Sequence, residues 1–292
     1  MSRRRLLAIV LVAFVLIGAL LLLPGRDDES GVPVANLDSL VTEYAAGLGE
    51  NAAYRPPSSR ESAALWQALR RTDHSGLDSL GYTRRAGTDA ATGREYTVLV
   101  NRARDDRGWG LYLVDASLPT RLVIEVPHPN YDLHTEEIGL DLFRRLPGSV
   151  LAVAGTHRGA ANGAGDVAHR ADSMFHAITR EYAELGLPQV QLHGFDDDSL
   201  PGSDVVVSPG AADPADPVRR IADDLARTPL RVCRAWREDC GRLAGRTNAQ
   251  GSAAAELSTV FVHVEISRDT RDSAEGRDRV AAALAAADPA GE

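Results

Sequence analysis

The chain has 292 residues, of which 44% are hydrophobic and 25% charged, and a formal net charge of −9. That length suits one large domain with a substantial core. The acidic balance argues against a nucleic-acid partner, whose phosphates call for basic surface. All 32 basic residues are Arg, so an anionic substrate would have to be held by particular Arg side chains.

The first stretch, "MSRRRLLAIVLVAFVLIGALLLLPGRDDES", stands apart from the rest. Three Arg precede an unbroken apolar run from Leu6 to Pro24. As a helix it would span roughly 28 Å, close to a bilayer core. The Arg cluster predicts a cytoplasmic N-terminus and an exported remainder. The run is long and lacks a good cleavage site, which favours an uncleaved anchor over a signal. Residues 1–25 are thus read as an anchor or signal, 26–36 as a tether, and 37–292 as a single α/β hydrolase-type domain. The expected location is the cell membrane, single-pass with an exported C-terminal domain, or secreted. In that compartment Cys233 and Cys240, in "VCRAWREDCG", are expected to form a disulfide.

"NLDSLVTEYAAGLGE" and "SSRESAALWQALRRTD" read as two helices. "REYTVLVNRA" and "WGLYLVDA" then read as strands joined by the turn "RDDRG". "TRLVIEVP" lacks strict alternation, which suggests burial on both faces. Strands and helices alternate from there. Helix 135–146, strand "SVLAVAGT", a Gly-rich loop and helix 171–185 come first. Strands "QVQLHGF" and "SDVVVSP", helix 216–226, the Cys loop, strand "STVFVHVEIS" and a helix near 275–287 follow. This order predicts an α/β fold with a mostly parallel central sheet flanked by helices, preceded by a transmembrane helix. Ligands of such sheets bind beyond the carboxyl ends of the strands.

Six of the eight His lie between positions 128 and 193. His128, His157 and His193 each fall at the predicted carboxyl end of a strand. Asp132 follows His128 by four residues. On the last strand Phe261, His263 and Glu265 share one face, opposite Val262, Val264 and Ile266. A Glu in so apolar a strand must be ion-paired (Arg268 is near in sequence), metal-bound or at the solvent end. Hydrolytic zinc sites use three His or carboxylate ligands and leave a position for water, with a nearby carboxylate as general base. His128, Asp132 and His193 can supply the ligands and Glu265 the base.

"PHPNYDLHTEEI" resembles the metal motif of phage-type poly-γ-glutamate hydrolases, which are similar to zinc carboxypeptidases and N-formylglutamate amidohydrolases. "VQLHGF" resembles the strand bearing their third ligand, and "VHVEISR" the strand bearing their catalytic Glu. The likeness spans roughly residues 121 to 270 in scattered motifs. It implies zinc on His128, Asp132 and His193, with Glu265 as base, and a carboxypeptidase-like (phosphorylase/hydrolase-like) fold. One departure stands out. The acid is Asp rather than Glu and lies one residue nearer to His128. Glu136, Glu137 or the His134/Glu137 pair could therefore bind instead, although acids at a helix start also favour the helix dipole.

In the loop "THRGAANGAGDVAHRADSMFH", Arg158 could clamp a substrate carboxylate or polarise a scissile carbonyl. Asn162 and His169 are substrate-binding candidates. Asp166 could line the cleft or orient a ligand His, and His176 reads as structural. "GRTNAQG", 245–251, reads as a polar loop whose Asn248 and Gln250 either contact substrate or make an ordinary turn. The combined expectation is an exported or anchored zinc-dependent amide hydrolase acting on a peptide, γ-glutamyl or cell-wall peptide bond. The alternatives are a binding domain that keeps the fold, and a metal-independent hydrolase, for which no G-x-S-x-G elbow is present.

Overall fold

In the computed structural model, residues 36–70, 76–102 and 106–291 are described. They belong to one compact unit. The apolar run Leu6–Pro24 lies outside the described residues. Among those described, no helix is long and apolar enough to cross a membrane.

Helices α1 (Leu37–Ala46) and α2 (Ser59–Arg70) lead into β1 (Tyr82–Thr88), β2 (Glu95–Asn101) and β3 (Leu111–Asp115). Next come β4 (Leu122–Val126), α3 (Thr135–Arg145), β5 (Ser149–Val153), α4 (Ala160–Gly163), α5 (Met174–Glu184) and β6 (Gln189–Phe195). The chain ends with β7 (Val205–Ser208), α6 (Asp216–Ala226), β8 (Val232–Arg234), α7 (Ala249–Glu256), β9 (Phe261–Ser267), α8 (Arg268–Asp272) and α9 (Ala274–Ala286).

Among the described residues nine strands form one sheet in the order β1-β2-β3-β5-β4-β6-β9-β7-β8. It is mixed rather than mostly parallel. The centre, β5-β4-β6-β9, is parallel. β1, β2 and β3 join its one side as antiparallel strands, and β7 pairs antiparallel with β9. Five elements differ from the sequence reading, the short helices α4 and α8 among them. β1 was not expected, because "YTRRAGT" is half exposed and carries two Arg. β8 is only three residues long and sits in the Cys segment. α7 begins inside "GRTNAQG", where the Asn248 side chain accepts from the Gly251 N–H at 2.9 Å and caps the helix.

Alternation along the strands sorts the side chains to two faces. Leu122, Ile124, Val126, Leu151, Val190, Leu192, Val262, Val264 and Ile266 pack with the apolar sides of α1, α3, α6 and α9. α3 is amphipathic, with Glu136 and Glu137 in its first turn and Arg144 and Arg145 in its last, both favourable to its dipole. It lies close to the sheet at Gly139, where a Cβ would come within 3.0 Å of Leu151 and Val126. On the other face Val123, Val150 and Ala152 pack with α2 and α5. Glu125, Gln191, His193, His263 and Glu265 share that second face by alternation. Three central strands, β4, β6 and β9, therefore deliver a row of polar groups toward one carboxyl edge.

Candidate metal centre

Beyond Val126 the chain winds one tight turn in which the N–H groups of Tyr131 and Asp132 both donate to the His128 carbonyl, at 3.0 and 2.8 Å. The turn brings Asp132 back beside His128, with Nδ1 3.3 Å from Asp132 Oδ2. β6 delivers His193 to the same point, its Nδ1 3.2 Å from the same oxygen. Register with β9 sets His193 opposite Glu265 and Gln191 opposite His263.

The far nitrogen of each ring faces an acceptor. His128 Nε2 is 2.8 Å from Asp166 Oδ1, and His193 Nε2 is 2.7 Å from Gln191 Oε1. Each Nδ1 in turn faces the Asp132 carboxylate, so a neutral ring has acceptors at both nitrogens and a proton for only one of them. Burial opposes the charge on Asp132, yet the two imidazoles hold its carboxyl well below the usual carboxylate range. Burial also opposes protonation of His128, but Asp132 and Asp166 outweigh it and raise its pKa. Burial keeps His193 below its ordinary value despite Asp132, and His128 adds to the effect. A neutral His193 therefore leaves one lone pair facing an acceptor, Asp132 or Gln191. A divalent cation relieves that conflict. The three ligand atoms lie within 4.8 Å of one another, and all three residues are buried. Two imidazoles and a carboxylate, each ring backed by an acceptor, are a donor set that fits such an ion.

Glu265 borders this centre. One of its oxygens, Oε2, is buried with no hydrogen-bond partner, and the other is 3.9 Å from His263 Nε2. Burial, with Asp132 adding to it, pushes its carboxyl up to about 8. Arg268 pairs with Asp272 at 2.8 Å instead of with Glu265. His263 stacks on His193 with ring centroids 4.7 Å apart, and its Nδ1 is also buried without a partner. His193, His263 and Glu265 form a second cluster with metal-ligating donors.

One guanidinium ties these segments together. Arg271, 2% exposed, donates to Ile266 O at 3.0 Å, to Leu133 O at 2.7 Å and to Phe195 O at 3.2 Å. Those carbonyls lie just beyond Glu265, Asp132 and His193. Gly194 makes room for it, since a Cβ there would meet Arg271 at 2.3 Å.

A cavity of about 860 Å³ opens over the centre, lined by His128, His193 and Glu265 and walled by Arg158, His169 and residues 241–248. Arg158 is held between Asp166 Oδ2, at 2.9 Å, and the Tyr131 ring, 4.8 Å from its centroid. Asp166 also meets His169 Nδ1 at 3.1 Å. The segment 241–248 follows the Cys233–Cys240 disulfide directly. Asn162 is exposed, in a left-handed conformation with φ 58°, and is not among the lining residues. His157 accepts from the Gly159 N–H at 3.1 Å and packs edge-on to Tyr131. Of the other acids, Glu137 is engaged by His134 at 2.7 Å and Arg277 at 3.1 Å. Glu136 is buried on α3, and neither joins a ligand cluster among the described residues. His176 is buried, with Nδ1 3.3 Å from Gln250 Nε2.

Sequence reasoning passed over Gln191, Arg271, Tyr131 and the cavity role of 241–244. Gln191 left a signal: a polar residue two before His193, on the same face of the strand. Arg271 left none, since its partners are main-chain atoms of distant segments.

Neither a protein-family model nor a curated protein matches the sequence. Solved structures do. A bacteriophage poly-γ-glutamate hydrolase is 14% identical over 76% of this chain and 93% of its own, with a TM-score of 0.43. An aminopeptidase of Legionella pneumophila is 12% identical over 87% and 69%, with a TM-score of 0.39. An aspartoacylase family protein of Mesorhizobium loti is 11% identical over 71% and 68%, also at 0.39. At such low identity, the chemistry of this chain has to be argued from its own residues.

Proposed function

We propose that the protein is a zinc-dependent amide hydrolase that cleaves a peptide or γ-glutamyl bond, carried at the membrane on its N-terminal apolar run. One observation carries the reading: two imidazole Nδ1 atoms and a carboxylate converge in a buried cluster beside a Glu with one unpartnered oxygen. His128, Asp132 and His193 would hold the ion. When bound, it supplies Lewis acidity and eases deprotonation of water. Glu265, with a carboxyl near 8 in the metal-free protein, suits proton transfer near neutral pH. It takes the proton of the attacking water and returns it to the leaving nitrogen. Arg158, steadied by Asp166 and Tyr131, presents its fork at the cavity wall, where it holds a substrate carboxylate or polarises the scissile carbonyl. His169 and Asn248 border the same space.

Metal analysis with an activity assay tests this. The purified protein should carry zinc, and His193→Ala should remove it. Glu265→Gln should keep the metal and lower amide hydrolysis by roughly 10²–10⁴-fold. A metal-free wild type, or an unchanged rate in Glu265→Gln, sinks the assignment. Metal retention with no hydrolysis of any amide points to a binding domain instead.

A further inference from the structure

A ring held at one nitrogen has its other nitrogen decided for it. His193 is held at Nε2 by Gln191, whose side chain presents oxygen on one side and nitrogen on the other. With the oxygen facing the ring, Nε2 can donate its proton to Gln191 and leave Nδ1, which faces Asp132, as the lone pair a cation needs. If the amide were turned over, Nε2 would accept and Nδ1 would carry the proton, closing it to a cation. An amide has no preference of its own between the two, so its partners choose.

Those partners can be traced to the main chain by two routes. Asn248 Oδ1 accepts from the Gly251 N–H at 2.9 Å, so its Nδ2 must be the group that donates to Gln191 Oε1. Gln250 Nε2 donates to the Val167 carbonyl at 3.0 Å, so its Oε1 faces Gln191 Nε2 at 3.1 Å. Gln191 Nε2 also donates to Glu125 Oε2 at 2.7 Å, across the register that pairs these residues on β6 and β4. Both routes impose the same orientation. No solvent can substitute for it, because Gln191 and Glu125 are 0% exposed, Gln250 1% and Asn248 2%.

We propose that Gln191 is a positioning residue that fixes His193 as the Nε2–H tautomer, with Gln250 and Asn248 setting the orientation of Gln191. The start of α7 thereby reaches the candidate metal centre without touching it. This rests on the metal reading above. It goes further in giving buried amides that do not touch the ion control over whether His193 can ligate. A plain structural role would cost stability alone. A tautomer role also changes the ring's nitrogen spectrum and the metal affinity.

The test uses Gln191→Met and Gln250→Met, which remove the amide and keep an unbranched side chain. Ring nitrogen shifts of His193, measured by NMR on metal-free protein at pH 8 where the ring is neutral, should show Nε2–H in the wild type. A shift toward mixed tautomers is expected in Gln191→Met, and a smaller one in Gln250→Met, where Asn248 and Glu125 still hold the amide. Zinc affinity, measured by competition with a chromophoric chelator, should fall roughly 10–100-fold in Gln191→Met. It should fall in the same direction in Gln250→Met, and the double variant should bind no more weakly than Gln191→Met alone. Wild-type affinity in both variants overturns the proposal, as does an Nδ1–H ring in the wild type. Should Gln191→Met fail to fold, Gln250→Met carries the test, since it leaves every contact of His193 in place. If the wild type binds no zinc, the metal reading fails, and the NMR result still decides the tautomer.

Discussion

Replacing Arg271 with Met probes how the candidate site is held together. The guanidinium is 2% exposed and donates to three main-chain carbonyls, at 3.0, 2.7 and 3.2 Å. Hydrogen bonds to a charged group are worth about 1.5–3 kcal/mol each, so three sum to roughly 5–9 kcal/mol. Burying the charge returns several kcal/mol of that as a desolvation penalty. The net expected loss is about 3 kcal/mol, a large fraction of the 5–15 kcal/mol typical of a whole domain. The loss should not stay local. The three carbonyls follow the segments bearing Asp132, His193 and Glu265, so zinc affinity should fall at least about tenfold along with stability. Urea unfolding read by tryptophan fluorescence gives the first quantity, and chelator competition the second. Gly194→Ala should act in the same direction, because its Cβ would meet the guanidinium at 2.3 Å. A stability change under about 1 kcal/mol in Arg271→Met, with unchanged zinc affinity, would refute the reasoning.

Glu125 makes a pH prediction. Burial pushes its carboxyl up to about 8, so the folded state holds a proton that the unfolded chain releases above about 4.5. Its contribution is fully present below pH 4.5 and is lost as pH rises toward 8, at up to about 1.4 kcal/mol per unit. Glu125→Gln cannot ionise, so its stability relative to wild type should climb across that window in urea titrations; a constant difference would contradict the assignment. Arg158→Lys should raise KM for a carboxylate-bearing substrate about tenfold with a smaller change in kcat, because a point charge cannot reproduce a bidentate fork. An equal effect on a substrate lacking that carboxylate would argue for carbonyl polarisation. Changing Cys233 and Cys240 together to Ser should cost about 2–3 kcal/mol for so short a loop, by the chain-entropy estimate. It should also raise KM, since segment 241–248 walls the cavity. Unaltered substrate affinity would confine the disulfide to a stabilising role.

Hydrophobic period makes most elements legible in the sequence itself. "LVIEV" announced a strand buried on both faces, and it is β4. The apolar spacing after "HTEE" announced α3. The placement of His128 and His193 at strand ends followed from the same local pattern. Local pattern also misled. "TNAQG" carries turn residues, and only packing under α5 shows that Asn248 begins a helix. Half-exposed β1 has no clear period, and its place comes from pairing with β2. The choice among Asp132, Glu136 and Glu137 could not be made from spacing. It turns on the hydrogen-bonded turn at His128, which brings Asp132 inward while α3 carries the two Glu away. Sheet order was equally hidden, because β9, the last strand in the chain, lies between β6 and β7. Arg271 reaches Leu133 across 138 residues, and Gln191 reaches Gln250 across 59. Periodicity records how each residue sits relative to its near neighbours, and so it gives away strands, helices and the ends where His residues emerge. Strand pairing, the orientation of a buried amide and the partners of a buried guanidinium are contacts between distant segments, and they exist only once the chain has closed on itself.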